Sequence, residues 1–301
     1  MSLSEVLQQH DFVELWNPEV IVGLFMLAAL YVLAIGPFRY KFPGSKSVPF
    51  IQIFSFFLSL IFIYFVQGSP VNLLGHRYLF SAHMTQMGFM YFIVPPLFIL
   101  GVPHWIWQRL FRSDRSRSVL RALTRPLLIL PLFAVLLSLY HFPIIFDTIM
   151  SSHALHSLCH GILVATAFLT WWPVLSPLEE MNDLPQLYKI GYILAASVLI
   201  LPVCALIIFS NELLFSTYVD APQIFSILPK YDDQQLGGVI MKLAQEAAYI
   251  TTIVVIIVQW VSRDESSRKV DPLEPITDSD LSSKTQLKTS SAPTTPAGEK
   301  S

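Results

Sequence analysis

The chain has 301 residues, of which 53% are hydrophobic and 13% charged, with a formal net charge of −2. Soluble domains carry about 25% charged residues, so this depletion excludes an ordinary water-soluble globule and marks a membrane protein. The two cysteines, Cys159 and Cys204, lie in apolar stretches and form neither a disulfide framework nor a Cys-x-x-Cys site.

The N-terminal stretch is acidic, with Glu5, Asp11, Glu14 and Glu19, and lacks the basic region that opens a secretory signal. A spanning helix needs about 20 mainly apolar residues. Seven such segments follow, at 20–38, 48–66, 82–103, 126–143, 153–175, 187–210 and 236–260. The fourth is short and carries Pro131; the third carries Pro95 and Pro96, and the sixth Pro202. Bilayer helices tolerate proline where neighbours satisfy the freed carbonyls. From Ser262 the chain turns to Ser, Thr, Pro, Lys and Asp. Such a segment buries too little apolar surface to offset ordering entropy. The expected organisation is a membrane domain at 1–261 and a disordered cytoplasmic tail at 262–301.

Basic residues set the expected orientation. The first loop has Arg39, Lys41 and Lys46, and the third has Arg109, Arg112, Arg115, Arg117, Arg121 and Arg125. The second has only Arg77, the fourth none, and the sixth Lys230. The acidic fifth loop has Lys189 near its end, and Arg263, Arg268 and Lys269 follow the last span. The expected fold class is therefore all-α: a polytopic membrane protein of seven transmembrane helices, N-terminus outside and C-terminus cytoplasmic.

With that orientation six of the eight histidines gather at the outer face: His76, His83, His141, His153, His156 and His160. His10 is in the outer N-terminal segment and His104 on the cytoplasmic side. His153, His156 and His160 stand at i, i+3 and i+7, a single helical stripe about 10 Å long. His83 and Met87 share a face at i, i+4, with Met84 beside them. Polar groups in a bilayer face a bundle interior or a water-filled cavity and mark a pathway or site. Imidazole with thioether favours copper, Cu(I) first, with zinc or haem iron behind it. No carboxylate is interleaved with the stripe, which counts against magnesium, calcium and manganese. The plainer alternative is that each histidine is an interfacial anchor or an interhelix hydrogen-bonding group, and each methionine a filler.

The seventh segment carries Lys242 and Glu246 at i, i+4, Gly237 and Gly238 for close helix approach, and Met241 as a further candidate sulfur donor. Asp232 and Asp233 are expected to keep the preceding loop solvated. The histidines form one layer, so a dihaem electron chain is not expected. The sequence holds no nucleophile–base arrangement, no phosphate loop, and no basic patch with interleaved aromatics for nucleic acid.

Three blocks, "GHRYLFSAHMTQMGFMYFIVPPLFILGVP", "SSHALHSLCHGILVATAFLTWWPVLSPLEE" and "YDDQQLGGVIM", occur in that order. Together they resemble the CtaG family of Gram-positive bacteria, multi-span assembly factors for caa-type cytochrome c oxidase, over most of residues 10–262. The resemblance implies a non-enzymatic assembly factor of the bacterial plasma membrane. It would work with oxidase subunits and supply copper to their metal centres. It lays that copper role on His76, His83, Met84, Met87, His153, His156 and His160; His141 falls in a less distinctive stretch. A single-span copper chaperone of the same name uses a Cys-x-Cys pair, which is absent here. Haem is not expected. The competing readings are a metal or small-solute permease using the same histidines, and a haem-binding membrane protein.

Overall fold

The structure, a computed structural model, describes residues 3–181 and 184–270, with side chains as far as residue 262. Every regular element among the described residues is helical, as composition leads one to expect. Seven helices carry the bundle. They are α1 (Phe12–Ile35), α2 (Phe50–Gly68), α3 (Phe80–Gly101), α4 (Pro126–Tyr140), α5 (His153–Leu175), α6 (Gln186–Ile208) and α7 (Lys230–Val270).

Six of the seven are long and apolar enough to cross a membrane; α4 is not, by itself. Its 15 residues rise about 22 Å, short of a hydrocarbon core of about 30 Å. It reaches spanning length only together with Asp114–Leu123, from which it is bent by 60°. Prolines set both limits: Pro126 holds Arg125 out of the helical region at one end, and Pro143 begins a separate helix, Pro143–Met150, beyond the other. The chain up to Val254 is one compact unit and the continuation from Val255 another. Helix α7 runs past the expected Ser262 boundary to Val270. The expected tail from residue 271 onward lies outside the described residues.

Helix α3 occupies the centre. Buried residues make up 61% of its apolar window, against 6% for α1. It approaches α2 closely at Gly101, where a Cβ would stand 2.5 Å from the Phe56 backbone nitrogen. It meets α7 at Gly237, where a Cβ would stand 2.5 Å from the Phe80 ring and 2.9 Å from Met84. The close approach expected of Gly237 and Gly238 is therefore present. Helix α4 packs on α5 and α6.

Proline also explains the break in α3. Pro95 has no N–H for the Tyr91 carbonyl, and the helix widens to a π turn over Phe89–Ile93. The indole of Trp171 on α5 donates to that carbonyl at 3.0 Å. Similarly, Pro70 cannot serve the Val66 carbonyl, which accepts from the Gln86 amide at 2.7 Å. Both contacts tie neighbouring elements to α3.

One expectation about the loops needs correction. Asp232 is exposed, but Asp233 is buried. Its carboxylate accepts from the backbone N–H of Phe80 at 2.7 Å, from that of Ser81 at 3.4 Å, and from the Ser81 hydroxyl. A side chain of α7 thus caps the first turn of α3, whose own flanking residue, Leu79, has no side-chain acceptor. Asp147 plays the same part for the short helix Ser216–Val219, accepting from the backbone N–H groups of Ser216 and Thr217 at 3.1 and 3.0 Å.

Candidate functional site

The short helix Pro70–Arg77 brings the first imidazole into place. Ser69 caps it, accepting from Val71 N–H at 3.3 Å, and Pro70 fits its first turn. Gly75 lets it lie directly on α3: a Cβ there would sit 2.6 Å from the Gln86 side-chain oxygen and 2.9 Å from the His83 backbone nitrogen. His76 therefore reaches over His83. Helix α5 supplies His156 and His160 from the opposite side.

The ring centres of these four histidines form a compact group. They are 4.4 Å apart for His76–His156, 5.8 Å for His83–His156, 6.2 Å for His76–His83 and 5.7 Å for His156–His160. Two imidazoles bound to one ion at about 2.0 Å per bond have ring centres roughly 5 to 6.3 Å apart. Three of the four separations fall in that range. His76–His156 is shorter because the pair is in direct contact, Nε2 to Nδ1 at 3.3 Å. Among the described residues no three His, Cys, Asp or Glu side chains have already converged as they would around a bound ion.

Hydrogen bonding fixes where the lone pairs lie. His76 Nδ1 meets the Asn72 carbonyl at 2.8 Å and must donate to it. Its Nε2 is then an acceptor for His156 Nδ1–H. That leaves His156 Nε2 as a bare lone pair, and the atom is buried without a protein partner. His83 Nε2 is 3.1 Å from the Tyr140 hydroxyl, and its Nδ1 is buried without a partner. Buried polar atoms are nearly always paired, so two unpaired nitrogens in one recess are unusual. Burial holds His76 below the ordinary 6.5; the Asn72 carbonyl opposes this, and His153 and Arg77 reinforce it. A neutral imidazole is the form that ligates metals.

The recess opens through a cleft of about 340 Å³ lined by Glu14, Asn72, His76, Arg77, Met150, His153 and His156. His153 is exposed at the rim, whereas His83 is 1% exposed. His160 lies deeper, its ring 5.4 Å from that of Tyr91, whose hydroxyl is also buried without a partner.

The remaining candidates separate. Met84 and Met87 are fully buried. Met87 is one turn from His83 on the same face, but Met84 packs toward Gly237 of α7. His141 donates through Nδ1 to the Leu137 carbonyl at 2.7 Å. Its ring neighbours are Tyr140 and Phe146, which also flank His83, and its Nε2 is buried without a partner. Met241 is buried where α7 crosses Gly88. Lys242 and Glu246 pair at 2.6 Å as their spacing predicts, and Ser197 of α6 donates to Glu246 at 2.5 Å. Sequence reasoning missed Tyr140, Asn72 and Met150. Only Met150 had a signal, three positions before His153.

These features define a class: a polytopic helical membrane protein with an imidazole-lined recess open at one end of its bundle. Residues 29–263 match the family described as cytochrome c oxidase caa3 assembly factor (Caa3_CtaG), and the chain belongs to that family. The resemblance carried by the three sequence blocks is thereby borne out. An uncharacterized protein of Mycobacterium leprae (strain TN) is 22% identical over 275 residues, covering 84% of this chain and 40% of that protein. The chain thus spans less than half the length of that relative. No solved structure matches.

Proposed function

We propose that this protein assists assembly of cytochrome c oxidase in the bacterial plasma membrane. It takes up Cu(I) on the histidine recess and passes it to oxidase subunits in the same bilayer. It acts as a metallochaperone, without catalysing a reaction. The recess faces the extracytoplasmic side, following the distribution of Lys and Arg between loops. The observation that carries this reading is the grouping of His76, His83, His156 and His160 beneath an open cleft, with unpartnered nitrogens on His83 and His156. Neutral imidazoles, with the Met87 thioether on the His83 face, suit copper and disfavour hard cations. Family membership supports the oxidase as the recipient.

A donor must release its cargo, and a mixed imidazole–thioether site at an accessible mouth exchanges ligands more readily than a closed thiolate cage. A permease would need the polar path to continue. Beyond Tyr91 the neighbouring α3 and α4 side chains are Phe92 and Phe133, with rings 6.2 Å apart, which disfavours translocation along that line.

The test is a Cu(I) titration of the purified protein under anaerobic conditions against a competing chelator. Tight binding of one Cu(I) is expected, lost when His156→Ala and His160→Ala are combined. Tight binding unchanged in that variant would remove the site. In cells lacking the protein, oxidase activity should return with the wild type and not with the double variant. A Soret band in the purified protein would favour the haem reading.

A further inference from the structure

We infer that the histidines form two successive stations for a soft monovalent cation: a rim station of Met150 and His153, and an inner station of His83, His156 and His160, with His76 between them. This deepens the copper reading above and rests on it.

Three observations carry it. First, the group is too long to be one site. His153, His156 and His160 descend one face of α5 over about 10 Å, while two ligands of one ion can lie no more than about 6.3 Å apart between ring centres. Second, the two ends differ in access and in chemistry. Met150 and His153 line the cleft, bringing a thioether and an imidazole to the opening. His83 is 1% exposed and His156 7% exposed, and each keeps a buried nitrogen without a partner. An ion arriving from solvent therefore meets the rim before it can meet His83. Third, His76 belongs to both ends. It lines the cleft, contacts His156 at 3.3 Å, and lies 6.2 Å from His83 between ring centres.

Charge at the mouth is compatible with passage of a cation. Arg77 stands on the cleft but is 3.7 Å from the Glu14 carboxylate, so the opening does not present an unopposed positive charge. Each transfer step is ligand exchange: one metal–nitrogen or metal–sulfur bond forms as another breaks. Copper stays Cu(I) throughout, and no oxidant or reductant is needed. Met150 supplies a soft first ligand, and the neutral imidazoles inside supply the firmer hold.

The experiment loads the full-length protein with Cu(I) anaerobically and follows uptake by stopped flow and by chelator competition. Two equivalents are expected, one weak and one tight. Met150→Leu combined with His153→Ala should remove the weak equivalent, slow loading of the tight one by about tenfold or more, and leave tight affinity within about threefold. X-ray absorption of the wild type with both equivalents bound should show a copper–sulfur contribution that Met150→Leu lowers, the remainder belonging to Met87 at the inner station. Loading of the rim variant at the wild-type rate, or equal loss of weak and tight binding, would overturn the two-station path while leaving the copper reading intact. A wild-type protein that binds no Cu(I) would overturn both. Since His153 is exposed and Met150 half-buried, the rim variant is expected to keep its fold, and helix content by circular dichroism checks that.

Discussion

Two of the polar groups built into this apolar bundle differ in one respect. Lys242, Glu246 and Ser197 satisfy one another: the ion pair is 2.6 Å, the serine donates to the carboxylate, and the ammonium also reaches the serine at 3.3 Å. The histidine recess is left incomplete, with nitrogens of His83 and His156 facing no protein partner. Both groups carry a desolvation cost. The first recovers it internally and therefore reads as architecture tying α6 to α7. The second recovers it only when something binds. Unmet bonding capacity beside an open cleft, rather than polarity in a membrane, distinguishes this site from a brace.

Mutations can break that contrast. The largest effect should come from His156→Ala with His160→Ala, which is expected to weaken Cu(I) binding by at least about 100-fold. Replacing both charged partners of the brace, Lys242→Met with Glu246→Leu, should leave Cu(I) affinity within about threefold, because a paired charge exchanged for apolar bulk is often neutral. Chelator competition measures both. If the brace variant lost copper as severely as the histidine variant, the two groups would not be separate devices.

Asp233→Ala should come next. It strips the acceptor from the Phe80 and Ser81 N–H groups and from the Ser81 hydroxyl at the start of α3. A loss of about 2 kcal/mol in stability is expected, read as a lower melting temperature in detergent. Copper affinity should fall with it, since His83 stands only one turn beyond the cap. Glu246→Gln should cost less, about 1 kcal/mol, because the glutamine side-chain oxygen can still accept from Lys242 and Ser197. Copper binding should not change.

The smallest effect concerns acid. Burial acts to raise the Asp147 pKa, but hydrogen bonds from Thr217 and Ser216 outweigh it and hold the carboxyl below the ordinary 3.8. A carboxylate with a depressed folded pKa stabilises the protein fully above its unfolded value and loses that contribution as pH falls through the folded one. Asp147→Asn should therefore flatten the decline in melting temperature below pH 3.8 and leave neutral-pH copper binding unchanged. Thermal unfolding across an acid pH series measures it.

The spans were legible because a bilayer demands long apolar runs, and the stripe of His153, His156 and His160 because helical spacing is fixed. The Lys242–Glu246 pair and the close approach of Gly237 could be read for the same reason. The end of α4 could not be placed to the residue, since hydropathy continues through Phe142 while Pro143 has already begun another helix. Asp233 looked like a solvating loop residue because its partners are backbone N–H groups of another helix, which leave no mark in sequence. Spacing alone put Met87 on the His83 face; that Met84, about 100° round from His83, packs toward Gly237 depended on where α7 lies.

The sequence alone determined that this chain lives in a membrane as a helical bundle and which side chains could serve as soft donors, because composition and periodicity depend on neighbours along the chain. Only the tertiary structure decided which imidazoles meet, which nitrogens keep their lone pairs, and that Met150 stands at the opening. Those outcomes depend on close approaches between helices, at Gly75 and Gly101, and on hydrogen bonds to backbone carbonyls, both set by packing across the bundle.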